Sequence, residues 1–259
     1  METIRVERTG RVARIILDRP DIRNAFNEVM IRELRQALGE LGGESSLRVV
    51  VLTGEGKAFC AGADLHWMRR VLSYTYEENY ADSLELARLL REIYEFPRPV
   101  VGRINGPAIG GGAGLVAVCD IAVAAEDAVF SFSEVKIGLV PACISPYVLK
   151  RVGERYLREY FLTGERLTAD KARECGLVNH VVPAAGLDAA VESHVQSLIS
   201  SGPEALAASK RLAGAVGDMT LDQAVPYTAD MIAQIRMSAE GQEGMSAFLE
   251  RRKPKWHAG

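Results

Sequence analysis

Asn105-Gly-Pro-Ala-Ile-Gly-Gly-Gly-Ala-Gly-Leu-Val-Ala-Val-Cys-Asp120 follows the extended run from Pro99 to Ile104. Glycines crowd its start, and the spacing of Leu115, Val116 and Val118 suits a buried helix. Gly110, Gly111 and Gly112 carry no side chains to hold a ligand away from the backbone, and they sit where the first N–H groups of that helix lack intrahelical partners. Such an end attracts negative oxygen. Close helix packing would also ask for small residues here, so the stretch alone leaves both readings open.

A second loop bears on the choice. Gly54-Glu-Gly-Lys-Ala-Phe-Cys-Ala-Gly-Ala-Asp64 follows Arg48-Val-Val-Val-Leu-Thr53, a β-branched run suited to a buried strand. Two strands therefore each deliver a glycine loop and then a helix. In open α/β folds, ligands gather at the carboxyl ends of strands, so N–H donors from both loops can converge on one oxygen.

Ala58-Phe-Cys-Ala-Gly-Ala-Asp64, Asn105-Gly106 through Gly112, Cys119-Asp-Ile121, and Glu134 followed by Gly138 and Pro141 occur here in one order along nearly the whole chain. In these motifs the sequence resembles the enoyl-CoA hydratase/isomerase family, also called the crotonase family. The resemblance implies an α/β spiral of ββα units of the ClpP/crotonase type. It places a core over 1–185 and a C-terminal helical trimerisation region over 186–259. It implies an acyl-CoA thioester substrate, with coenzyme A as part of the substrate and no separate cofactor. Trimers and dimers of trimers are usual in the family, so a homotrimer or hexamer is expected.

The 259 residues suffice for one large α/β domain with a sizeable core. A formal net charge of −3 favours neither nucleic acid nor an acidic membrane surface as a partner. The start, Met1-Glu-Thr-Ile-Arg5, lacks a secretory pattern and no apolar run is long enough to span a bilayer, so a cytoplasmic protein is expected. Cys60, Cys119, Cys143 and Cys175 are scattered, as are the four histidines, which predicts reduced thiols and no metal site.

In chain order, Ile4–Glu7 and Val12–Leu17 read as a hairpin turning at Thr9-Gly10. Arg23–Phe26 reads as the entry to a helix, with Asn27 as its cap, an apolar face of Met30, Ile31, Leu34, Leu38 and Leu41, and a stop at Gly42-Gly43. A helix is expected from about Asp82 to Tyr94, strands over 121–125, 129–132 and 178–182, and a threonine-capped helix after Thr168. Leu187 onward is almost wholly helical in pattern. Its end, Phe248 to Trp256, is basic and aromatic, which suits either a cationic strip or a solvated tail.

By motif position, the resemblance assigns the oxyanion donors to the N–H groups of Ala63 and Gly111 and the acid/base role to Glu134. Glu134 stands among apolar and small residues, where desolvation raises a carboxyl pKa, although Lys136 could make it a paired surface glutamate. The implied substrate-contacting positions are Arg23, Ala25, Ala61, Asp64, Leu65 and His66 in the first half, with Gly110, Gly114, Pro141 and Ser145 in the second. Arg23 is a candidate phosphate partner or simply an exposed loop arginine, and Leu65, Trp67 and Met68 could line an acyl pocket or the core.

One position departs from the family pattern. Familiar hydratases use a second glutamate directly after the Gly-rich segment, where this chain has Gly114. That change is expected to open space and remove a negative charge. Three readings follow: hydration by Glu134 alone, with a branched or carboxylated acyl group supplying the missing function; double-bond isomerisation by Glu134; or acyl-CoA binding without chemistry. The stretch Ser133–Tyr147 with Gly112–Leu115 resembles the methylglutaconyl-CoA and isohexenylglutaconyl-CoA hydratase branch, and Ser145 and Tyr147 are candidate donors to such a carboxylate.

Overall fold

The computed structural model describes residues 1–257. The last two positions of the 186–259 region lie outside the described residues. Strands β1 (Ile4–Thr9) and β2 (Val12–Leu17) form the expected hairpin, turning at Gly10 with φ 58°. Next come α1 (Glu28–Gly42), β3 (Val49–Gly54), α2 (Leu65–Val71), α3 (Tyr76–Tyr94), β4 (Val100–Ile104), β5 (Ala108–Ile109), α4 (Gly111–Ala117) and β6 (Ile121–Ala125). The chain continues through β7 (Val129–Ser131), a 3-10 turn at Ser133–Ile137, α5 (Ser145–Thr163), β8 (Arg166–Thr168), α6 (Ala169–Glu174) and β9 (His180–Val182). It closes with α7 (Leu187–Ile199), α8 (Pro203–Val216), α9 (Leu221–Met237) and α10 (Ala239–Leu249).

The larger sheet runs β1-β2-β3-β4-β6-β9 and is parallel except for β1; the smaller runs β5-β7-β8. Successive units place one strand in each sheet and then a helix: β4, β5, α4, and next β6, β7, α5. The isolated bridge of Cys60 to Ala108 extends the same scheme to β3 and α2. This is the spiral that the resemblance implies.

Strand β3 is buried on both faces, which explains its uninterrupted apolar run. Val50 and Leu52 join the main core with α1, α3 and α4, while Val49 and Val51 pack with Leu187, Val191 and Val195 of α7. Helix α9 has no buried residue and exposes Leu221, Val225, Ile232 and Met237. Among the described residues no helix is long and apolar enough to cross a membrane.

Several local expectations shift. Helix α3 starts six residues before Asp82, because Thr75 and Glu78 form a reciprocal capping box. The last strand begins at His180 rather than Val178, since the N–H groups of Leu177 and Val178 turn back to the Ala172 carbonyl and close α6. Arg23–Phe26 does not enter a helix: Arg23 and Asn24 adopt left-handed backbone, with φ of 53° and 56°, and Phe26 bridges to Ala63. The Asn27 cap is as expected, its side chain accepting from Met30 N–H at 3.0 Å.

Candidate active site

The site is assembled from the 19–26 segment, the 58–64 loop, the start of α4 and the turn carrying Glu134. Asn24 is wholly buried, and its side-chain amide donates to the carbonyls of Glu55 and Ala58 at 2.9 and 2.8 Å while its carbonyl oxygen accepts from Arg19 N–H. An asparagine tolerates the left-handed backbone this requires. Phe26 then pairs in parallel with the second loop: its N–H donates to Gly62 O at 2.8 Å, and its carbonyl accepts from Asp64 N–H at 2.9 Å. In such a bridge the residue between the two bonds turns its own N–H to the other side. That residue is Ala63.

The glycine loops press against each other. A Cβ on Gly62, at φ 92°, would stand 2.9 Å from Ile109 O, and one on Gly112 would overlap Cys60 O. Only glycine permits this approach. Ile109 N–H donates to Cys60 O, and Gly110 N–H to Ser131 O, which leaves Gly111 as the first residue of α4. Among the described residues neither Ala63 N–H nor Gly111 N–H has a hydrogen-bond acceptor.

Glu134 comes to the same place. A Cβ on Gly110 would lie 3.1 Å from Glu134 Oε1 and 3.6 Å from its carboxyl carbon, so the carboxyl group stands beside the residue that precedes Gly111. Its Oε2 is buried without a hydrogen-bond partner. Burial pushes the Glu134 carboxyl above the usual glutamate range, against a smaller opposing backbone hydrogen bond. No salt bridge holds Glu134 among the described residues, so the surface pairing with Lys136 is not what the structure shows.

Gly114 brings a correction. The expected open space is filled, because a Cβ there would overlap the Ile144 Cγ2 methyl and stand 2.9 Å from Ile144 Cβ. Ile144 is 2% exposed.

The other sequence candidates divide. Arg23 is exposed, and its carbonyl receives Ala61 N–H at 2.9 Å. Ala25 is buried and accepts from Arg19 Nη1 through its carbonyl. Asp64 turns inward: its side chain caps α2 through His66 and Trp67 N–H and pairs with Arg19 at 2.7 Å. Leu65 and His66 are exposed at the start of α2, while Pro141 is buried. The Ser145 hydroxyl donates to Ala142 O at 2.8 Å, and Tyr147 lies against Tyr94 with ring centroids 5.2 Å apart. Trp67 is a core residue, set against Phe26 and hydrogen-bonded to Asp82. Arg19 is a functional candidate that sequence reading passed over; a loop arginine before proline gives no local sign of a partner 45 residues away.

The sequence profile of the family described as Enoyl-CoA hydratase/isomerase matches residues 7–259. The chain belongs to the enoyl-CoA hydratase/isomerase family. Among its relatives, a Thermus thermophilus protein assigned provisionally as an enoyl-CoA hydratase is 38% identical over 253 residues, covering 98% of this chain and 100% of that one. The 2,3-dehydroadipyl-CoA hydratase of Escherichia coli is 31% identical, covering 98% of each. The crystal structure of an enoyl-CoA hydratase from Shewanella pealeana superposes with a TM-score of 0.96 at 42% identity, covering 98% of this chain and 96% of that one. The fold is therefore that of the crotonase family, and this member is an enzyme of the hydratase/isomerase type.

Proposed function

We propose that this enzyme adds water to the conjugated double bond of an enoyl-CoA thioester whose acyl group is branched or carboxylated. The observation that carries the reading is the half-buried Glu134 side chain, whose Oε2 is buried without a partner and whose carboxyl group is set beside the Gly110-Gly111 turn. Glu134 as carboxylate takes a proton from water as the oxygen bonds to the β-carbon, and the π electrons move onto the thioester oxygen. The N–H groups of Ala63 and Gly111 receive that charge, each donor contributing about 3 kcal/mol at the transition state. Glu134 then returns the proton to the α-carbon, so the net addition is one water molecule. No group beyond the thioester and these residues is needed, and coenzyme A enters only with the substrate.

A carboxylated acyl group suits the absence of a second acid at Gly114, because a like charge there would repel it. The Escherichia coli relative is named for 2,3-dehydroadipyl-CoA, the thioester of a dicarboxylic acid, which supports this choice. Arg23, exposed beside Ala61, is the proposed partner for the nucleotide phosphates. The apolar residues left uncovered on α9 support assembly into a trimer or a dimer of trimers, and we place the enzyme in the cytoplasm.

Isomerisation is the second reading, favoured by the single carboxyl group and by the Ile144 methyl packed on Gly114, where a second carboxyl would be carried. Isotopic water decides between them. Incubation of a panel of straight, branched and carboxylated enoyl-CoA thioesters in oxygen-18 water is expected to label the product alcohol; a rearranged double bond without label would support isomerisation. Glu134→Gln is expected to lower turnover at least a thousandfold while acyl-CoA affinity stays within a few-fold. Unchanged turnover would assign the proton transfer to another group.

A further inference from the structure

Gly114 lies one turn along α4 from Gly110, whose carbonyl accepts Gly114 N–H at 3.1 Å. The Glu134 carboxyl thus lies beside Gly110, which precedes α4, and Ile144 lies beside Gly114, one turn further along. Ile144 has little freedom to leave. Its carbonyl accepts from Tyr147 and Val148 N–H, both at 3.1 Å, so it stands at the N-cap of α5, and it is almost completely buried. Its γ2 methyl stands where a side chain on residue 114 would project. A methyl group offers water no hydrogen bond, so position 114 and the side chain packed on it supply no second acceptor.

We infer that Ile144 is a specificity-determining residue of the hydration site. It fills the place of a second water-holding carboxylate and so selects enoyl thioesters whose acyl group carries its own hydrogen-bond acceptor. Such a substrate supplies the second acceptor itself; a straight-chain enoyl group has none to offer. This inference rests on the proposed hydration reaction and adds to it the residue that sets the acyl class.

Glutaconyl-CoA, which bears a free carboxylate, and crotonyl-CoA, which bears none, are the probes. In the parent enzyme kcat/KM for glutaconyl-CoA should exceed that for crotonyl-CoA at least tenfold. Gly114→Glu alone should lower Tm by several degrees, because its Cβ overlaps Ile144. Gly114→Glu combined with Ile144→Gly should recover that Tm and reverse the preference, raising crotonyl-CoA hydration at least tenfold. Ile144→Ala, which leaves Gly114 in place, should lower the glutaconyl-to-crotonyl ratio at least threefold by admitting water. It is the deciding variant if the double variant does not fold. A Gly114→Glu enzyme with the parent Tm, or a ratio unchanged within twofold in folded Ile144 variants, overturns the role of Ile144. If the parent labels no thioester from isotopic water, the reaction reading itself fails and this inference with it; an active parent with an unmoved ratio sinks only the inference.

Discussion

The Asp64 side chain caps α2 and pairs with Arg19, which makes it a brace for the loop that carries Ala63. The test is its removal. Asp64→Ala deletes the acceptor that caps α2, which typically costs about 1 kcal/mol. It also leaves Arg19 without its carboxylate partner. The two side chains are 21% and 5% exposed, so the pair is screened little, and losing a charged hydrogen bond of this kind costs about 2 kcal/mol. Together these give about 3 kcal/mol, or a Tm lower by about 6–12 °C for a domain of this size. Asp64→Asn keeps an acceptor for His66 and Trp67 N–H and should lose roughly two-thirds of that, about 2 kcal/mol. If Ala63 N–H has the proposed oxyanion role, both variants should lower kcat more than they raise KM, because displacing that donor weakens the transition state more than the ground state.

Acid titration gives the same prediction a second reading. Burial alone would raise the Asp64 carboxyl, but the bonds from Arg19, His66 N–H and Trp67 N–H outweigh it and hold it below the usual aspartate range. A carboxyl group depressed in the folded state stabilises fully above its unfolded pKa of about 4 and loses that contribution as pH falls through its folded value. The parent should therefore shed stability in acid more steeply than Asp64→Asn. Thermal denaturation between pH 3 and 7 reads both effects. If Asp64→Ala keeps a Tm within 2 °C of the parent while KM rises tenfold, the brace is wrong and the carboxylate faces the substrate.

Glu134 carries the opposite sign. Its folded pKa is raised by burial, so the folded state holds the proton longer than the unfolded chain, and stability falls as pH rises from the ordinary glutamate range through the raised value. The Tm of Glu134→Gln should thus draw ahead of the parent as pH rises above about 4, and the acid limb of the kcat/KM profile should lie above an ordinary carboxyl pKa; parallel Tm curves would contradict the burial argument. Gly112→Ala places a methyl group on the Cys60 carbonyl, a main-chain atom that cannot rotate away. We expect about 3 kcal/mol of destabilisation, measured by urea unfolding, together with loss of turnover as the two loops separate.

What the sequence displays depends on how far apart the cooperating residues lie. The face of α1, its Asn27 cap, the hairpin and the double-sided burial of β3 follow from spacing within a few residues, and each can be read directly. The glycine loops are legible for a related reason: three glycines in a row have few uses, and a second such loop after a second strand narrows them further. The glutamate was visible as a carboxyl group among apolar neighbours, but its missing ion pair was not, because Lys136 is near in sequence and takes no part in space. The capping box of α3 was within reach, since Thr75 and Glu78 stand at the required spacing; the aromatic and acidic run around them obscured it.

Arg19 and Ile144 lie beyond this range. Arg19 acts through Asp64, 45 residues on, and Ile144 acts on Gly114, 30 residues back. Nothing near either residue marks the pairing. The lesson from Gly114 is physical: a glycine in place of a charged residue signifies a vacancy only if no distant side chain moves in, and interiors are too closely packed to leave such a volume empty. Sequence alone shows the removal of the carboxylate. The fold shows that an aliphatic side chain has taken its place, which turns a question of lost chemistry into one of altered selectivity.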